Sequence, residues 1–96
     1  MRALSARGLV NALNTAGFSA PNPLNTTVQE CPVIGCDQSV VTDTLKVKSF
    51  QTTAQAERFA VLRGLFQVET LVVTFAPVLP ESEQARYRAE IQRLVD

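Results

Sequence analysis

The sequence predicts an α+β fold: a two-layer sandwich in which a small sheet of two to three strands carries three helices, mostly on one face, in the order helix, strand or hairpin, helix, strand, helix. Three observations predict it. Apolar residues recur at helical spacing in three stretches, 5–16, 53–63 and 81–94. They alternate with lysine in Leu45-Lys46-Val47-Lys48, the period of a strand with one wet face. A stretch from Phe66 to Phe75 with both faces rather apolar separates the second and third helices. A chain of 96 residues buries roughly 60–70% of its unfolded surface, enough for one core, so 1–96 reads as a single small globular domain.

The elements follow in order. In 5–16, Leu9, Val10, Leu13 and Ala16 share a face, Ser5 suits the N-cap and Gly17 the left-handed position after the last turn. Two prolines and several turn formers make 19–27 a loop. Residues 28–50 read as an extended region in which Val28 to Cys31 and Cys36 to Val41 pair as a short hairpin across Pro32 to Gly35, and the second arm continues into Leu45 to Phe50. Thr52, three residues ahead of Gln55, starts the second helix with a capping-box pattern, and Gly64 stops it. The run 66–75 reads as one central strand, set parallel to 45–50 by a right-handed crossover. Pro77 and Pro80 stiffen the connection that follows. In 81–94, Tyr87, Ile91, Leu94 and Val95 form the apolar stripe, Glu81 and Glu83 sit at the positive end, and Glu83/Arg86 and Glu90/Arg93 are spaced to pair.

The cysteines carry the clearest chemical signal. Cys31 and Cys36 flank a segment with Pro early and Gly late, a turn composition that brings two Cβ atoms together, so a Cys31–Cys36 disulfide is expected, with two reduced buried thiols as the plain alternative. A redox centre would use tighter spacing, and Glu30 and Asp37 alongside disfavour a thiolate. A metal site needs two more suitable ligands, and the sequence has no third cysteine and no histidine. The N-terminus leaves two readings, a cytosolic protein or an exported one whose signal peptide has been removed; a disulfide implies an oxidising compartment, so export to the extracellular space or cell envelope is expected. The longest apolar stretch, Leu71 to Leu79, falls far short of the roughly 20 residues of a membrane span.

Composition excludes more than it suggests. Nine Lys plus Arg balance nine Asp plus Glu, so no basic excess points to nucleic acid or to an acidic membrane surface. The arginines of the last helix are interleaved with glutamates. Without histidine the usual general base is missing, the glycines form no phosphate loop, and Glu81 and Glu83 are explained by their place at a helix N-terminus. No enzyme and no cofactor are expected. What remains is surface: Leu24, Val33, Ile34, Val78 and Leu79 are apolar residues in expected loops, and their convergence would make a contact for a protein or lipid partner.

Two resemblances bear on that reading. Gly35-Cys36, Thr42-Asp43, the strand ending at Phe50, the alanine-rich helix Ala54 to Ala60 and the later Ala85-Arg86-Tyr87 together resemble small exported actinobacterial proteins, mycobacterial in type, whose function is unknown. The resemblance implies export and gives no activity. Val47-Lys48-Ser49-Phe50 followed by Ala54-Gln55-Ala56-Glu57 resembles one strand and helix of the peptidoglycan-binding sporulation-related repeat domain, although the chain supplies the second copy of that unit poorly. It implies a glycan contact at Lys46, Lys48 and Phe50. The expectation is therefore a non-enzymatic, exported cell-envelope domain that binds a protein or lipid partner, with a glycan-binding module as the alternative.

Overall fold

A computed structural model describes residues 4–95 as α1 (Ala6–Thr15), β1 (Leu24–Asn25), α2 (Thr27–Ile34), β2 (Gln38–Val41), β3 (Leu45–Ser49), α3 (Thr53–Arg63), β4 (Phe66–Val68), β5 (Leu71–Phe75) and α4 (Glu81–Val95). The fold is α+β, as the sequence predicts, but its sheet has five strands in the order β1-β2-β3-β5-β4, every pair antiparallel, and its helices number four among the described residues.

The capped helices form where their caps place them. Ser5 Oγ accepts from the Gly8 amide at 2.9 Å to open α1, and Thr52 Oγ1 accepts from the Gln55 amide at 3.1 Å to open α3. Gly64 closes α3 at φ 65°, a left-handed conformation that costs a residue with a Cβ about 1–2 kcal/mol. The expected pairs on α4, Glu83–Arg86 and Glu90–Arg93, both form, and Arg88 adds a bond to Glu81 at 2.7 Å.

Several expectations need correction. The segment 28–31 is helical rather than an arm of a hairpin, because α2 runs through Pro32 to Gly35, whose φ of 90° ends it with a bond from its amide to the Cys31 carbonyl at 2.7 Å. The loop 19–27 contains β1, where Leu24 and Asn25 pair with Val41 and Val40 at the sheet edge. The run 66–75 is two strands, since Glu69, at φ 54°, turns the chain so that Val68 faces Leu71. That turn also overturns the parallel crossover: the chain leaves α3 along the outer edge as β4 and comes back inside it as β5, antiparallel to β3, with Val47 opposite Val73. The middle of the sheet is consequently β3.

The last correction concerns the layers, for both faces of the sheet carry helices. One face holds Val40, Leu45, Val47, Leu71 and Val73, packed with Leu9, Val10 and Leu13 of α1 and Tyr87, Ile91 and Val95 of α4. Each of these large aliphatics, fully withdrawn from water, contributes about 1.5–3 kcal/mol. Tyr87 closes this core with its hydroxyl donating to the Ser19 carbonyl at 2.8 Å and its ring edge-on to Phe18, and its burial pushes its phenol above the ordinary range. The opposite face presents Ser39, Lys48 and Val72 to α2 and α3, and its core is smaller, built from Phe50, Ala56, Ala60 and Val72. Ala56 and Ala60, one turn apart and both buried, let α3 lie close against the strands.

Candidate apolar docking face

The layer formed by α2 and α3 is assembled differently from the opposite one. α2 is anchored by polar contacts: Thr27 Oγ1 accepts from the Ser39 amide at 3.0 Å, and Thr26 Oγ1 bonds Ser39 Oγ at 2.9 Å. At its far end Cys31, buried, is joined to Cys36 with an S–S distance of 2.06 Å, so the expected disulfide is present. Between these anchors Glu30 reaches down to Lys48 of β3 at 3.1 Å. The sequence expectation of a wet face for both lysines therefore holds for Lys46 and fails for Lys48, which α2 covers. The Thr26 hydroxyl, first, and then the Lys48 ammonium hold the Glu30 carboxyl below its usual range, against the opposing effect of partial burial.

The outer surface of this layer carries four exposed large aliphatics among polar residues. Val28 and Val33 on α2 and Val61 and Leu62 on α3 are 84%, 88%, 72% and 79% exposed. Between the two helices lies a groove of about 300 Å³, with Phe50 at its base, Ile34 on the α2 side, and Phe59 and Leu62 on the α3 side. The rings of Phe50 and Phe59 lie 5.5 Å apart. Two cations border the groove. The Arg63 guanidinium lies 3.9 Å from the centre of the Phe59 ring and donates to the Phe59 carbonyl at 3.1 Å, while Arg58 enters from the preceding turn of α3. No carboxylate lines the groove, and no ion pair among the described residues involves Arg58 or Arg63.

The residues singled out from sequence are only partly gathered here. Val33 and Ile34 are on α2, and Ile34 shares the groove with Phe50, which is itself 6% exposed. Leu24 lies apart on the edge strand, Val78 is exposed in the connection before α4, and Leu79 packs against the larger core. Lys46 borders a separate cleft with Thr42, Thr74 and Pro77. Val28, Val61, Leu62 and the two arginines were not expected at the site. For α3 the signal was in the sequence, since Val61 and Leu62 are large aliphatics outside the Ala56/Ala60 stripe that meets the sheet.

The groove's lining holds neither a nucleophile beside a base nor paired carboxylates, and among the described residues no three His, Cys, Asp or Glu gather as a metal-binding set. Its chemistry is that of apolar contact bordered by guanidinium groups. No helix among the described residues is long and apolar enough to cross a membrane. Comparisons with protein families, with curated proteins and with solved structures give no match for the chain.

Proposed function

We propose that the protein is a non-enzymatic domain of exported, cell-envelope type that docks on a protein or lipid partner through the α2/α3 face. The observation that carries this reading is the distribution of exposed large aliphatics: four of the six among the described residues, Val28, Val33, Val61 and Leu62, lie on α2 and α3. Isolated exposed apolar residues are ordinary on a protein surface; a concentration of them on one layer, beside a groove, marks a contact surface. The disulfide supports export, because such bonds persist in oxidising compartments. The glycan reading has less support, since of Lys46, Lys48 and Phe50 only Lys46 is exposed, and a sugar platform needs an accessible aromatic face.

The test is a chemical-shift titration of the labelled protein with vesicles of envelope lipids and, separately, with a soluble envelope protein fraction. Perturbations are expected on α2 and α3 with either or both, and a Val61→Ser/Leu62→Ser variant should lose them while keeping the spectrum of the remaining fold. Perturbations confined to α1 and α4, or a response that the variant retains in full, would overturn the reading.

A further inference from the structure

We propose that the groove between α2 and α3 is a binding site for a single-chain anionic amphiphile, a free long-chain fatty acid, with its acyl chain along Ile34, Phe50, Phe59 and Leu62 and its carboxylate on Arg58 and Arg63. The inference rests on the reading of α2/α3 as a docking face and narrows it to one occupant. The volume of the groove, about 300 Å³, is at the small end of the range of small-molecule pockets, roughly 300–1,000 Å³. Its apolar lining runs from the buried Phe50 out to Leu62, which is 79% exposed, so an extended chain can lie with one end deep and the other at the surface. A linear chain suits this form better than a compact group.

Charge decides the head group. The two guanidiniums are the only charged groups lining the groove, and neither is neutralised by an ion pair among the described residues. Glu57, the only acid of α3, lines the outer side of the helix together with Ala54, Val61, Leu62 and Arg58, and no ion pair among the described residues joins it to either arginine. Arg63 is held in place by its stacking on Phe59 and its bond to the Phe59 carbonyl, so it meets an anion with little further loss of side-chain freedom. A guanidinium offers a carboxylate paired donors, the geometry of the stronger charge-assisted hydrogen bonds. A largely apolar groove bordered by two such groups complements a molecule that is apolar along most of its length and anionic at one end.

Three probes of equal chain length test the proposal: laurate below its micelle concentration, dodecyltrimethylammonium and dodecyl maltoside, each titrated into the labelled protein. Laurate is expected to give saturable shifts at Ile34, Phe50, Phe59 and Leu62, and to bind at least about tenfold more tightly than the neutral and cationic probes, the size expected for a charge-assisted contact. Arg58→Gln alone should weaken laurate several-fold and Arg58→Gln/Arg63→Gln about tenfold, with the dodecyl maltoside response unchanged; spectral dispersion of each variant verifies folding. Equal affinity for all three probes, or laurate binding untouched by the arginine variants, would overturn the anionic site and leave the docking face standing. Response of α2 and α3 to the protein fraction with no response to laurate would assign the face to a protein partner and equally overturn it. Silence of this face toward every probe, vesicles and protein fraction included, would overturn both readings.

Discussion

The two faces of the sheet are packed in different ways. Against α1 and α4 the strands present an aliphatic surface filled by Leu9, Leu13, Ile91 and their neighbours, and the outward sides of these helices are polar or charged. Against α2 the sheet offers Ser39 and Lys48, met by hydroxyls and an ion pair, while α3 rests on the small cluster of Phe50, Ala56, Ala60 and Val72, and Val28, Val33, Val61 and Leu62 stay exposed. The first layer is held by a large aliphatic core, the second by discrete bonds at α2 and a small apolar core under α3. Neither attachment uses Val28, Val33, Val61 or Leu62, so the layer exposes these residues without losing its hold on the sheet and is free to meet a partner.

The sharpest way to break this comparison is to truncate equivalent aliphatics on the two sides. Ile91→Ala should cost about 2–5 kcal/mol in urea unfolding, because Ile91 is fully buried and leaves a cavity, whereas Leu62→Ala should stay within about 0.5 kcal/mol. Similar losses at both positions would mean that Leu62 takes part in the packing of the outer layer. Next in size is the disulfide. Cys31→Ser/Cys36→Ser should lower stability by about 2 kcal/mol, as expected for closing so short a loop, and should raise amide exchange in α2 far more than in α1 or α4.

The ion pair gives the smallest effect and a defined pH dependence. Glu30→Gln leaves Lys48 covered without its partner, and with Glu30 still 30% exposed the cost should be about 1–2 kcal/mol, below the roughly 3–5 kcal/mol for a fully buried pair. Because the folded protein holds the Glu30 carboxyl below its unfolded value of about 4.3, its contribution is complete above that pH and is lost as the pH falls through the lower, folded value. Amide protection of α2 should therefore decline on acidification before that of α1, and in Glu30→Gln this difference should shrink.

What the sequence disclosed follows the same division. α1, α3 and α4 were legible because caps and apolar stripes are local signals, and Ser5, Thr52, Gly17 and Gly64 take the roles their types suggest. α2 was not, because Pro32 sits inside it and it has no amphipathic stripe; it is held by Ser39 and by the bond from its own Cys31 to Cys36, two partners outside the segment. The β4–β5 turn escaped notice because Glu69 occupies a left-handed conformation usually given to Gly or Asn. Of the site, Val33, Ile34 and Phe50 were named in advance for two different roles, and only the folding of α2 over β3 puts Ile34 beside Phe50. The burial of Lys48 has the same origin, since nothing within an alternating strand says which of its wet positions a distant helix will cover.

The arrangement of the sheet also sets a timetable. β2 with β3, and β4 with β5, are hairpins joined by short turns, and such units form in about 1–10 μs on their own. The junction of β3 with β5 must wait until the chain between them, including α3, has been drawn into a loop whose closure carries an entropic penalty. The two halves of the sheet are thus prefabricated locally and joined in one later step. That same step brings Phe50 under α3, so the groove is among the last parts of the molecule to come into being.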